Sequence, residues 1–184
     1  MTVEPWTLLG EAPVVRDRWI DLVRQHVRTP SGHELEDFYV WRQPDWTHAL
    51  AVTPAGRFVR VRLWRQGARA VSLEFPGGVV DPGETPEAAA ARELLEESGY
   101  AGDAPVRLGS VWANPASQTN RVHTVLITGC RRVAEPRPEA SESFEVEEAD
   151  AAAVLEDVRA GRMDHPYMVA AVAHLQLHRP ELLR

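Results

Sequence analysis

Over the first 45 residues the chain alternates in the period-two manner of strands, with Val23, Gln25 and Val27 set between Arg24, His26 and Arg28. Pro30-Ser31-Gly32 supplies a turn and Leu35 to Trp41 resumes the extended pattern, so a hairpin is expected. Thr47 to Val52 and Phe58 to Trp64, joined through Thr53-Pro54-Ala55-Gly56, predict a second hairpin, and Ala70 to Phe75 a further strand. The periodicity then changes. Thr85 is placed to cap a helix with Pro86 at its first position, and the Ala-, Leu- and Glu-rich run Ala88 to Glu97 continues it until Gly99. At about 100° per residue, Ala88, Ala91, Leu94 and Leu95 gather on one side as the expected core face, opposite Glu93, Glu96 and Glu97. Strands are expected near Arg107 to Trp112, Val122 to Thr128 and Phe144 to Glu148, and helices near Ala151 to Ala160 and Tyr167 to His178. Arg131 to Ser143, which holds Pro136 and Pro138, reads as a mobile connection. Strands and helices together predict one α/β (α+β) domain over residues 1–184, without repeats or a composition break.

Composition narrows the function classes. With 44% hydrophobic and 26% charged residues, the 184-residue chain falls in the globular range rather than the disordered or fibrous one. Its uncharged apolar runs, such as Val169 to Ala173, are far shorter than the ~20 residues of a membrane span, and the start has no basic-then-apolar leader pattern. A soluble, cytoplasmic protein that makes no membrane contact is expected. A net charge of −7 argues against general nucleic-acid binding. The single cysteine, Cys130, excludes an internal disulfide and a multi-cysteine zinc site, and reads as a packed residue at the end of a strand. All 20 basic residues are arginine, which removes Schiff-base lysine chemistry and the P-loop lysine but retains bidentate phosphate recognition.

Candidate chemistry centres on the helix. Glu93, Glu96 and Glu97 stand at i, i+3 and i+4, where like charges destabilise by roughly 0.2–0.5 kcal/mol per pair unless a cation neutralises them. Such carboxylates are either a solvated face or hard oxygen ligands for Mg²⁺ or Mn²⁺. The context decides between them: Gly78, five residues, Glu84, seven residues, then Arg92-Glu93-Leu94-Leu95-Glu96-Glu97-Ser98-Gly99-Tyr100. This run resembles the Nudix box at every charged and glycine position, departing only in Tyr100, where the family carries an aliphatic residue. The resemblance implies a Nudix-type α/β/α sandwich with a mixed sheet, and a divalent metal site (Mg²⁺, with Mn²⁺ as the alternative) on Glu93, Glu96, Glu97 and the Gly77 carbonyl, oriented by Glu84 and Arg92. It further implies hydrolysis of a diphosphate bond, with Glu93 and Glu97 as catalytic residues. A downstream loop glutamate in members of the ADP-ribose pyrophosphatase type corresponds here to Glu142, or else to Glu139, as base or extra ligand.

The run Val61-Arg62-Leu63-Trp64-Arg65, followed by Leu73-Glu74-Phe75-Pro76-Gly77-Gly78, is similar to the approach to the box in ADP-ribose and nucleotide-sugar pyrophosphatases. So is Pro115, which lies 16 residues after Gly99. The similarity implies that Arg65 holds the substrate's diphosphate, with Glu74 and Pro115 in the substrate-binding set. Six tryptophans are many for this length, most of them expected in the core or an interface, and Trp46 or Trp41 is expected to stack on a nucleobase. The polar run Asn114 to His123 is expected to line the pocket. The expected substrate is ADP-ribose or a nucleotide sugar, and residues 1–45 are expected to help form a homodimer. Alternatives are a nucleoside-triphosphate or dinucleoside-polyphosphate hydrolase and, in another class, a non-catalytic nucleotide-binding module.

Overall fold

A computed structural model of the chain describes residues 2–137 and 144–184. In chain order the described elements are β1 (Thr7–Arg16), β2 (Asp21–Arg28), β3 (Glu34–Arg42), β4 (Trp46–Ala51), β5 (Phe58–Arg65), β6 (Ala70–Glu74) and β7 (Gly77–Val79). Helix α1 (Pro86–Ser98) follows, then β8 (Tyr100–Ala101), β9 (Val106–Trp112), β10 (Arg121–Ile127), β11 (Arg131–Arg132), β12 (Phe144–Ala149), α2 (Ala151–Arg159), α3 (Pro166–His178) and a 3-10 turn over Pro180–Leu183. They form two compact units: the strands up to Pro44 together with Trp112–Arg121, and Asp45–Val111 together with Val122–Arg184.

In the first unit β1, β2 and β3 form an antiparallel sheet, and β2 and β3 are the hairpin that the alternation predicts. β1 falls within the strand region expected over residues 1–45, but its bounds carried no sequence signal, because its ten residues are all exposed and show no inside-outside alternation. Trp41 fastens the Trp112–Arg121 segment to this unit: its N–H donates to the Ser117 carbonyl (2.7 Å) and its carbonyl accepts from the Thr119 N–H (3.2 Å).

In the second unit a mixed sheet runs β7-β4-β10-β9, with β4 parallel to β10 and antiparallel to β7. Alternation along β4 and β10 builds a core on each face. Leu50 and Leu126 join α2 and α3 residues such as Val154, Met168 and Leu175, whereas Ala49, Ala51, Val125 and Ile127 join Ala90 and Leu94 of α1. Helices thus cover both faces, which is the layered α/β/α order expected of the box. β12, β5 and β6 form a separate antiparallel sheet.

β4 and β5 are not the regular hairpin expected from Thr47 to Trp64. They share one bridge, Val52 to Phe58, and then diverge into different sheets, because every residue of β4 after Trp46 is buried and its ladder partners are β7 and β10. Cys130 is packed as expected, and burial pushes its thiol up to about 11. Among the described residues no helix is long and apolar enough to cross a membrane.

Candidate functional site

Helix α1 begins as its sequence dictates: the Thr85 hydroxyl accepts from the Ala88 N–H, Pro86 opens the first turn, and left-handed Gly99 (φ 75°) ends it with its N–H on the Leu95 carbonyl. Its buried side differs from the expected one. Ala89, Ala90, Leu94, Glu97 and Ser98 face inward, while Leu95 is 40% exposed. The helix packs on β4 and β7 and is thereby rotated so that Glu97 is drawn in against β7. There Glu97 Oε2 accepts the Gly77 N–H at 3.0 Å.

Gly77 and Gly78 allow this approach. A Cβ on Gly77 would collide with the Thr47 carbonyl of the paired strand, and one on Gly78 would lie 2.5 Å from Glu93 Oε1. Two successive positions without side chains therefore bring backbone and helix carboxylates together.

Arg92 joins the cluster. Its Nε and Nη2 donate to the two oxygens of Glu84 (3.2 and 3.0 Å), Nη1 donates to Glu93 Oε1 (2.7 Å) and Glu96 Oε2 (3.1 Å), and Nη2 also reaches the Val79 carbonyl (3.0 Å). Bonding to Glu84 first, and then to Glu93 and Glu96, raises the affinity of this guanidinium for its proton, and the same bond holds the Glu84 carboxyl below the usual range. The like-charge repulsion that the sequence raised is thus relieved in part by the arginine. The donor set fits a hard divalent cation: three carboxylates on one helix, a backbone carbonyl on the facing strand, and an arginine that fixes the rotamers of Glu93 and Glu96. Among the described residues, no three acidic, histidine or cysteine side chains already converge at ligating distance.

Arg65, the last residue of β5, and Glu74, the last of β6, form a fork: Nε donates to Oε1 and Nη2 to Oε2, both 2.8 Å. Glu74 is 1% exposed; burial pushes its carboxyl up, but bonds from Arg65 and the Ser72 hydroxyl outweigh this and hold it below the usual range. Beside them His48 packs against His165 and Tyr167, and burial holds its imidazole neutral, with a pKa pushed down to about 3. Sequence reasoning missed these two histidines. A lone histidine in an apolar strand carries no signal, and only the return of α3 brings His165 to it. Arg65 also lines a cleft of about 890 Å³ between the β5–β6 hairpin and the turn from α2 to α3.

Trp46 begins β4 opposite Val79 and Val122, half-buried, and does not line the cleft. Trp41 and Pro115 belong to the other unit, where Pro115 follows Asn114 in a turn held by the Asn114 side chain (Oδ1 to the Ala116 N–H, 3.3 Å; Nδ2 to Ser117 Oγ, 3.1 Å). Within Asn114 to His123, His123 Nε2 bonds Asp45 at 3.0 Å, while Asn120 Oδ1 and His123 Nδ1 are buried without a hydrogen-bond partner among the described residues. Tyr100 packs with Ala90 and Leu94 while its hydroxyl donates to Glu148 Oε1 (2.7 Å), so the ring fills the aliphatic site without stranding its polar end. Glu139 and Glu142 lie outside the described residues.

A sequence profile of the NUDIX domain matches residues 48–171. The chain is 29% identical over 170 residues to the ADP-ribose pyrophosphatase of Bacillus subtilis (strain 168), covering 92% of this chain and 91% of that one. It is 39% identical over 70 residues to the ADP-sugar pyrophosphatase of Mus musculus, 38% of this chain and 32% of that one. The crystal structure of an ADP compounds hydrolase shares the fold, with a TM-score of 0.84, 17% identity, and coverage of 96% and 95% of the two chains.

Proposed function

The chain belongs to the Nudix family and is a Nudix hydrolase, and from that premise we propose that it hydrolyses, with Mg²⁺, the diphosphate bond of ADP-ribose or a nucleotide sugar. One observation carries the reading: Glu97 is bonded to the Gly77 N–H beside the Glu84, Glu93 and Glu96 carboxylates that Arg92 ties together. The similarity to the two pyrophosphatases supports the substrate class.

In this reading Glu93, Glu96, Glu97 and the Gly77 carbonyl hold the cation. A divalent ion there supplies Lewis acidity, polarising the phosphate and making water a better nucleophile. Arg92 fixes Glu84, Glu93 and Glu96 in rotamers suited to ligation. Arg65, oriented by its fork to Glu74, holds the diphosphate. A water oxygen bonds to one phosphorus as the bridging oxygen leaves with the other phosphate, and Glu142, or failing it Glu139, takes the water's proton. ADP-ribose then yields AMP and ribose 5-phosphate. Trp46 and Pro115 complete the proposed substrate-binding set. A homodimer is part of the proposal, supported by the edge strand β1, which leaves Trp6, Leu8, Val14 and Val15 exposed around it.

The test is turnover of ADP-ribose, nucleotide sugars, dinucleotides and nucleoside triphosphates with Mg²⁺, by the parent chain and by Glu97→Gln. Cleavage of ADP-ribose by the parent and loss of at least ~100-fold in kcat in a folded variant support the reading. Full turnover by Glu97→Gln defeats the ligand assignment, and preference for a triphosphate defeats the substrate.

A further inference from the structure

Two of the proposed ligands stand where a helix is weakest. Glu96 and Glu97 lie in the last turn of α1, at the negative end of the helix dipole, and that turn includes no basic side chain. Its own charges therefore work against it, and its last carbonyls are those that a helix leaves without internal donors. The Gly99 N–H closes the final bond, on the Leu95 carbonyl (2.9 Å). The Tyr100 N–H, which a continued helix would give to the Glu96 carbonyl, turns instead to the Ser98 hydroxyl (3.3 Å).

Backbone from further along the chain supplies the missing donors. β11 pairs Arg131 with Ala101 and Arg132 with Tyr100, and residues 133–137 then run back along this end of α1. The Val133 and Ala134 N–H groups donate to the Gly99 carbonyl (2.8 and 3.1 Å), and the Arg137 N–H donates to the Glu96 carbonyl (2.7 Å). Gly99 is the seat of this segment. A Cβ there would lie 2.1 Å from the Ala134 carbonyl oxygen, so the glycine makes room for the segment besides supplying the left-handed turn (φ 75°). Tyr100 steadies the same corner: its hydroxyl donates to Glu148, whose other oxygen takes Arg57 Nε at 3.2 Å.

We propose that residues 133–137 clamp the last turn of α1, seated on Gly99 and fastened by the Arg137 N–H, and so position Glu96 and Glu97 for the cation. The clamp acts through backbone, so the Arg137 guanidinium has no part in it. The proposal rests on the ligand reading above, and the measurements keep the two apart.

Arg137→Pro removes the N–H at a position that Pro138 already confines to extended backbone, whereas Arg137→Ala keeps it. Gly99→Asn retains a residue that tolerates the left-handed turn but sets a Cβ against Ala134. Calorimetric titration with Mn²⁺ is expected to show affinity at least tenfold weaker in Arg137→Pro and Gly99→Asn, and unchanged in Arg137→Ala. Val154→Ala, in the core on the other face of the sheet, lowers urea-derived stability without touching the clamp and is expected to leave the affinity as it is. Retained affinity in a folded Arg137→Pro or Gly99→Asn, or an equal loss in Arg137→Ala or Val154→Ala, overturns the clamp. Amide hydrogen exchange reads it without metal: the N–H groups of residues 95–99 are expected to exchange at least tenfold faster in Arg137→Pro than in Arg137→Ala, and equal exchange overturns it too. If Glu97→Gln binds Mn²⁺ as tightly as the parent does, the ligand reading fails and exchange alone decides the clamp.

Discussion

His48 sits 3% exposed on β4, where burial first, helped by the nearby Arg65 guanidinium, holds its pKa down to about 3 against the pull of Glu74. An unfolded chain takes up this proton near pH 6.5, whereas the folded chain resists it until about 3. Stability from this group is therefore complete above pH 6.5 and is lost as pH falls below it, because the unfolded state binds the extra proton. At about 1.4 kcal/mol per pH unit the loss is ~2 kcal/mol at pH 5, a large share of the ~5–15 kcal/mol typical of a domain. His48→Gln keeps a polar side chain of similar length but does not titrate. Urea unfolding at several values between pH 7.5 and 5, with a chelator present, should show the parent losing about 2 kcal/mol more than the variant across that range. Glu74, Glu84 and Asp157, whose pKa values are lowered, act below this window, and His165 and His174 titrate in both proteins, so the difference isolates His48. Parallel losses in the two proteins would refute the assignment of a buried, neutral imidazole.

Gly78→Ala places a methyl group 2.5 Å from Glu93 Oε1, and is expected to weaken Mn²⁺ binding by ~10–100-fold in calorimetry while leaving the far-ultraviolet dichroism unchanged. Unaltered affinity would mean that Glu93 is not a ligand. Arg65→Lys cannot fork to Glu74; it should raise KM for ADP-ribose about tenfold and lower the urea-derived stability by ~1–3 kcal/mol, whereas a change in neither would leave Arg65 as surface decoration. For the dimer, sedimentation should give twice the 20.5 kDa chain mass, falling to one chain in Leu8→Arg/Val15→Arg; a monomeric parent removes that part of the proposal.

Much of this protein was legible without coordinates. Capping signals placed α1 from Thr85 to Gly99, because a Ser or Thr cap, a first-turn proline and a left-handed glycine act locally. The spacing of Gly78, Glu84, Arg92, Glu93, Glu96 and Glu97 carried the family, because the site lies on one loop and one helix whose geometry follows from adjacent residues. Alternation found β2, β3 and β12, each half-exposed, but could not find β1, which has no buried side.

What depends on contacts distant in the chain was decided only by the fold. The rotation of α1 that buries Glu97 and exposes Leu95 comes from packing on β4 and β7, which an isolated helical wheel does not contain. The separation of β4 from β5 comes from the parallel ladder to β10, 76 residues away, whose hydrogen bonds outweigh the nearby turn. The neutral His48 and the cleft bounded by His165 exist because α3 returns to cover the sheet. Sequence alone thus determined the chemistry available to this protein, since ligand type and spacing are local properties. Tertiary structure determined which of those groups are buried, paired and facing a cavity, since desolvation and charge pairing depend on what the rest of the chain brings against them.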